Sequence, residues 1–194
     1  YLRVQVVREA GLAQPAGGWV TALVRPLPGY PAHWYDTGVH LGVAEWCSDP
    51  HSPLAGVKSL SYLPQVLARR RAQIRGFDDA LILTTEGRVC ESAHGNVIAR
   101  LGRTLYAPGR EEGALAGVTR DVLLRWAEGN GYEIEIRLPW DVLAEAEEAV
   151  LVSTLAGVVS VATVEGLDVR LARSNGELAT AMRQAYEELL NGGG

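Results

Sequence analysis

Short apolar runs between turn residues, interrupted by stretches of helical periodicity, commit this chain to a mixed α/β fold in which strands predominate through the middle. Leu2 to Arg8 alternates like a strand already under way, and a second short strand is expected near Trp19 to Arg25. Residues 9 to 18 form a Gly/Pro/Ala-rich loop between them, and Pro26 to Pro53 reads as strand and loop. Asp79 to Thr85 and Arg88 to Glu91 flank the turn Glu86-Gly87 and predict a hairpin. Further strands are expected at Asn96 to Ala99, Thr104 to Tyr106, Tyr132 to Ile136, Ala149 to Val152 and Val158 to Val164. Helical spacing covers Leu60 to Ile74, where Leu63, Val66, Leu67 and Ile74 are apolar and Gly76 supplies a stop. Thr119 to Ala127 reads as an amphipathic helix capped by Thr119, Trp140 to Ala146 as a short helix, and Asn175 to Leu190 as a closing one before a frayed tail at Gly192 to Gly194.

At 194 residues the chain can bury a substantial apolar core without staples. Its formal charge of -5 argues against binding a phosphate backbone, and no apolar run is long enough to span a bilayer. Cys47 and Cys90 lack metal or redox spacing, and nothing near Tyr1 reads as a signal peptide, so a cytoplasmic location is expected. His33, His40, His51 and His94 are too dispersed for a local metal motif, and no metal is expected.

One count is sharper than these. Of the 18 basic residues, Lys58 is the only lysine. Arginine serves where a position needs only positive charge, whereas a neutral amine able to condense with a carbonyl comes from lysine or the N-terminus. Survival by chance on a surface explains the count equally well, so the surrounding residues decide.

A pyridoxal-phosphate site needs an amine, a carboxylate for the pyridine nitrogen, a phosphate cradle and a partner for the ring hydroxyl, and all four have candidates along this chain. Lys58 sits at the entrance to the first long helix, and Tyr62 lies one helical turn on if that helix has already begun; a half-buried core tyrosine is the alternative. Glu91 closes a hairpin strand beside Ser92-Ala93-His94-Gly95, where an exposed loop glutamate is the alternative. Gly117-Val118-Thr119 opens a helix, and N–H groups at a helix start favour an anion; Thr119 could equally be only the cap. Ser153 and Thr154 interrupt an apolar strand, and their hydroxyls need either an anion or a backbone partner.

Lys58-Ser59-Leu60-Ser61-Tyr62-Leu63-Pro64-Gln65, Gly76-Phe77-Asp78-Asp79, Gly87-Arg88-Val89-Cys90-Glu91-Ser92 with Asn96-Val97, Gly117-Val118-Thr119-Arg120 and Ser153-Thr154-Leu155 together resemble the class IV family of pyridoxal-phosphate enzymes. That family includes branched-chain and D-amino acid aminotransferases and aminodeoxychorismate lyases. The resemblance runs over roughly residues 55 to 190. It implies a D-amino acid aminotransferase-like fold with a large pseudo-barrel domain over residues 23 to 190, residues 1 to 22 connecting from a small N-terminal domain, and a tail at 191 to 194. It also implies pyridoxal 5'-phosphate as cofactor, a small amino substrate and a homodimer. By the same resemblance Lys58 forms the covalent link and shuttles the proton, Glu91 binds the pyridine nitrogen and Tyr62 approaches the ring hydroxyl. Val118, Thr119, Ser153 and Thr154 hold the phosphate. The family's phosphate-binding arginine and much of its substrate pocket belong to the small domain, which this stretch of sequence does not include.

The lysine segment and Leu155-Ala156-Gly157-Val158 look most like the lyases, which eliminate pyruvate to give 4-aminobenzoate, whereas Ser153-Thr154 is closer to the D-amino acid aminotransferases. Ser92-Ala93-His94-Gly95 departs from the small, hydroxyl-rich stretch common in the family, which keeps open a third reading, an inactive interaction domain retaining the fold.

Overall fold

The computed structural model describes residues 1 to 8, 17 to 27, 29 to 167 and 176 to 191. Most of the loop expected at residues 9 to 18, the start expected for the last helix at Asn175 and the tail at 192 to 194 lie outside the described residues.

The chain divides into two units, Tyr1–Tyr30 and Pro31–Gly194. In the first, β1 (Leu2–Arg8) pairs antiparallel with β2 (Gly18–Val24), Leu2 opposite Val24 and Arg8 opposite Gly18. Within the second unit the elements are α1 (Ala32–Asp36), β3 (Val39–Val43), α2 (Leu63–Ile74), β4 (Asp79–Leu83), β5 (Val89–Ser92) and β6 (Asn96–Leu101). They are followed by β7 (Thr104–Tyr106), α3 (Val118–Gly129), β8 (Glu133–Glu135), α4 (Trp140–Glu145), β9 (Glu148–Ser153), β10 (Gly157–Val164) and α5 (Glu177–Asn191).

The second unit's strands form one sheet in the order β5-β4-β3-β10-β9-β6-β7-β8. β3 runs parallel to both its neighbours, β4 and β10, and β7 runs parallel to β8; the remaining pairs are antiparallel. β5 and β6 stand five places apart in this order, yet only Ala93, His94 and Gly95 join them. A flat sheet would separate them by about 24 Å. Four residue steps reach at most about 14 Å. The sheet therefore curls until its β5 edge meets β6, where the Ser92 N–H donates to the Gly95 carbonyl at 2.9 Å. This curl is the mixed α/β pseudo-barrel that the sequence implied. β3 itself was hidden in the stretch read as strand and loop, because it is only five residues long, with Val39, Leu41 and Gly42 buried and His40 exposed, and it lies among many Pro, Gly, His and Trp residues.

Two helix layers cover different parts of the sheet. Leu123, Leu124 and Ala127 of α3 and Leu178, Met182 and Ala185 of α5 pack with Ile98, Leu105, Val150, Val152 and Val158. α5 is fixed at its start by Glu148, 4% exposed, which accepts the Leu178 N–H at 3.1 Å and is paired with Arg100 at 2.9 Å. α2 packs differently. Its buried face is Ala68 and Ala72, set against Ala80 and Ala93, while Leu63, Val66, Leu67 and Ile74 are exposed. The helix forms where its apolar spacing predicts, but small residues bring it close to the sheet and the large ones face outward. The cap assigned to Thr119 is corrected: α3 begins at Val118 after Gly117, no side chain caps it, and Thr119 lies inside the first turn.

Candidate functional site

Lys58 lies in an irregular approach to α2, in a tight turn where the Ser59 N–H donates to the Val57 carbonyl at 2.9 Å, and the segment is pinned by the Gly56 N–H donating to the Gly113 carbonyl at 2.9 Å. α2 starts only at Leu63, so Lys58 and Tyr62 are not one helical turn apart on a shared face. The chain nonetheless turns both side chains to one cavity of about 390 Å³, whose walls also include Glu91, His94, Asn96 and Leu115. Lys58 and Tyr62 remain exposed at its rim, and the Tyr62 hydroxyl donates to the Ala93 carbonyl at 2.6 Å.

Glu91 is part of β5 and is half-buried, so it is not an exposed loop glutamate. It accepts the Leu115 N–H at 3.0 Å. Burial raises its carboxyl above the usual range, while the Leu115 N–H and the positive charge of Lys58 act in the opposite direction. Glu91 and Lys58, the one lysine, line the same cavity.

The two segments expected to hold phosphate meet each other but do not line this cavity. Thr119, buried, and Thr154, exposed, bring their hydroxyl oxygens within 3.4 Å of each other. Ser153, half-buried, accepts the Ala156 N–H on its hydroxyl at 3.2 Å, which is the backbone partner the sequence left open. Val118 is exposed as the first residue of the uncapped α3. Two glycines make the junction possible. A Cβ on Gly95 would stand 2.5 Å from the Val152 carbonyl oxygen, and one on Gly117 would stand 2.0 Å from Asn96 Oδ1. Asn96 Nδ2 donates to the Leu115 carbonyl at 2.8 Å, so one side chain fastens the Glu91 hairpin to the turn that opens α3.

Sequence reasoning missed Asn96 and His94 as parts of this site. Asn96 carries no signal of its own because its role is to hold two loops together, which only the fold brings close. His94 was visible as a departure in the turn after Glu91. Among the described residues no cluster of His, Cys, Asp or Glu could hold a metal, and no helix is long and apolar enough to cross a membrane.

The donor set suits a ring with an anionic tail and a basic nitrogen: an amine, a half-buried carboxylate and an uncapped helix start beside paired hydroxyls. Comparison with known proteins agrees. The family model for class IV amino-transferases matches residues 1–164. A probable branched-chain-amino-acid aminotransferase of Synechocystis sp. is 32% identical over 131 residues, which is 66% of this chain and 43% of that protein. The aminodeoxychorismate lyase of Vibrio harveyi is 30% identical over 139 residues, 70% of this chain and 51% of that protein. The crystal structure of 4-amino-4-deoxychorismate lyase from Pseudomonas aeruginosa superimposes with a TM-score of 0.83 at 30% identity, covering 99% of this chain and 70% of that one. The chain spans less than half the length of the first curated relatives it matches. With a family model matched over most of its length and the fold superimposed on that of a member, the chain belongs to the class IV aminotransferase family.

Proposed function

We propose that this chain is the cofactor-binding part of a pyridoxal-phosphate enzyme that eliminates pyruvate from a 4-amino-4-deoxychorismate-like substrate to give 4-aminobenzoate. The observation that carries the reading is the joint presence of Lys58 and Glu91 in one cavity, adjoining the Thr119–Thr154 hydroxyl pair. When bound, pyridoxal phosphate supplies an aldehyde for covalent capture and a pyridine ring that accepts electrons from a bond broken at the substrate carbon. Lys58 would supply the amine that captures it and, once displaced by the substrate amine, the base that takes the proton from the carbon beside the amine. Glu91 would hold the ring nitrogen in its protonated form, and Tyr62 would sit against the ring hydroxyl. The Val118 N–H and the hydroxyls of Thr119, Ser153 and Thr154 would hold the phosphate.

Lyase and aminotransferase use the same base, so the base does not separate them. The lysine segment and Leu155-Ala156-Gly157-Val158, which look most like those of the lyases, favour elimination. The alternative is transamination of a branched-chain or D-amino acid, favoured by relatives that bear branched-chain aminotransferase names. A homodimer belongs to this reading, supported by the exposed Leu63, Val66 and Ile74 on α2 beside the cavity. A cytoplasmic setting is supported by two cysteines, Cys47 and Cys90, that are both free.

The test is borohydride reduction of the native protein followed by intact mass and peptide mapping. One reduced pyridoxyl phosphate on Lys58, absent from Lys58→Ala, is expected, with a loss of activity of at least about a thousandfold in the variant. A native protein that takes up no label is the inactive interaction domain instead. Release of 4-aminobenzoate against formation of a keto acid then separates lyase from aminotransferase.

A further inference from the structure

His94 stands at the turn between β5 and β6, three residues beyond Glu91, and lines the cavity that holds Lys58 and Glu91. Its ring is fixed from behind. Arg69 Nη1 lies 3.3 Å from His94 Nδ1, and Trp34 meets the imidazole edge-on with ring centres 5.9 Å apart. Arg69 is held in turn over the face of Trp34 at 5.6 Å, and its Nε lies 4.0 Å from Oδ1 of the fully buried Asp79. The backbone is also clamped, because Ser92 Oγ accepts the N–H groups of His94 at 3.2 Å and Gly95 at 2.9 Å.

This arrangement decides the charge of the ring. A guanidinium can only donate, so His94 Nδ1 must accept and cannot carry a proton. Burial and the Arg69 charge push the imidazole down to about 4, so it is neutral at physiological pH. Neutral here, it is no proton carrier, and it adds no second cation to a cavity that already contains Lys58. What remains is a rigid, flat, uncharged wall. Trp46 and Tyr62 line the same cavity, so three planar side chains border it.

We propose that His94 is a specificity-determining residue, a fixed planar wall that favours an amino substrate bearing a flat ring over one with a branched aliphatic side chain. The inference rests on the reading of this cavity as a pyridoxal-phosphate site and deepens it by naming a side chain that selects among substrates. Planar groups gain from offset or edge contacts with an aromatic wall beyond the area they bury, by an amount that branched alkyl chains do not share.

The natural full-length protein, loaded with pyridoxal phosphate, tests this by calorimetric titration with 4-aminobenzoate and, separately, with the branched keto acid 4-methyl-2-oxopentanoate. For His94→Ala, 4-aminobenzoate should bind about tenfold more weakly, with the keto acid changed by less than about threefold. His94→Phe, which keeps the plane and loses the nitrogens, should restore most of the affinity for 4-aminobenzoate. The ratio of kcat/KM for the two substrate classes should follow the same order. Equal weakening of both ligands in His94→Ala, or no change in either, overturns the proposal. So does rescue by His94→Gln but not by His94→Phe, which would assign hydrogen bonding rather than planarity. Borohydride labelling of the wild-type preparation without ligand is expected to attach one reduced pyridoxyl phosphate. Failure of the wild-type protein to label sinks the cofactor reading itself, a result separate from either ligand titration.

Discussion

The two flanks of the curled sheet are packed by different rules. Beneath α3 and α5 the interior is built of large aliphatic side chains, Leu123, Leu178, Met182, Ile98 and Val150, all fully buried. Under α2 it is built of alanines, Ala68, Ala72, Ala80 and Ala93, with the carboxylate of Asp79, Arg69 and the ring of His94 set among them. The first arrangement maximises apolar area removed from water, and the second trades area for close approach and for polar groups near a cavity. The cavity lined by Lys58 and Glu91 borders the second flank, and the first carries the start of α3, where Thr119 meets Thr154.

The largest expected effect breaks this contrast if it fails. Leu123→Ala leaves a cavity in a fully buried aliphatic cluster and should cost about 2 to 5 kcal/mol in a urea titration. Ala72→Gly, equally buried but on α2, removes one methyl and adds helix-interior backbone entropy, which costs about 1 kcal/mol. A smaller loss at Leu123 than at Ala72 would show that the α2 flank, and not the aliphatic one, carries the stability.

Asp79 sharpens the same comparison, because a buried carboxylate on the α2 flank should penalise folding at neutral pH. Burial pushes its carboxyl up to about 6, against the Ala80 N–H and the charge of Arg69. The folded value lies above the unfolded value of 3.8, so the stability it contributes is complete below that pH and is lost as pH rises through about 6. Asp79→Asn removes the loss. The variant should match the natural protein near pH 4 and be more stable by about 1 to 3 kcal/mol at pH 8. Urea midpoints at the two pH values measure this, and a variant destabilised at pH 8 would mean that the pairing with Arg69 outweighs the burial.

The aliphatic flank was the more legible in the sequence. β9 and β10 announce themselves as apolar runs, and α3 and α5 as amphipathic periods, because each buries one continuous face. The α2 flank misled, since a stripe of Leu63, Val66, Leu67 and Ile74 reads as a core face when alanines do the packing. At the site, the sequence singled out Lys58 and Glu91 because few residue types offer an amine or a carboxylate, and both line one cavity. Tyr62 reaches the cavity for a reason other than the helical turn expected of it. His94 and Asn96 were not readable as wall and clasp, because their roles consist of contacts between segments that only the closed sheet brings together.

The smallest effect separates bracing from binding at the point where the two flanks meet. Thr119 is 6% exposed, sits in the first turn of α3 and touches the Thr154 hydroxyl at 3.4 Å. Thr119→Val keeps the shape and the β-branch, so the helix loses nothing in rotamer preference. A hydroxyl contact at this length is weak, and its removal should change stability by less than about 1 kcal/mol. If the pair serves an anion, the apparent affinity for pyridoxal phosphate should nevertheless fall by about three- to tenfold, read by titrating the apoprotein and following absorbance. Loss of stability with unchanged cofactor affinity would place Thr119 in the framework of the aliphatic flank and leave the phosphate to the uncapped backbone of α3.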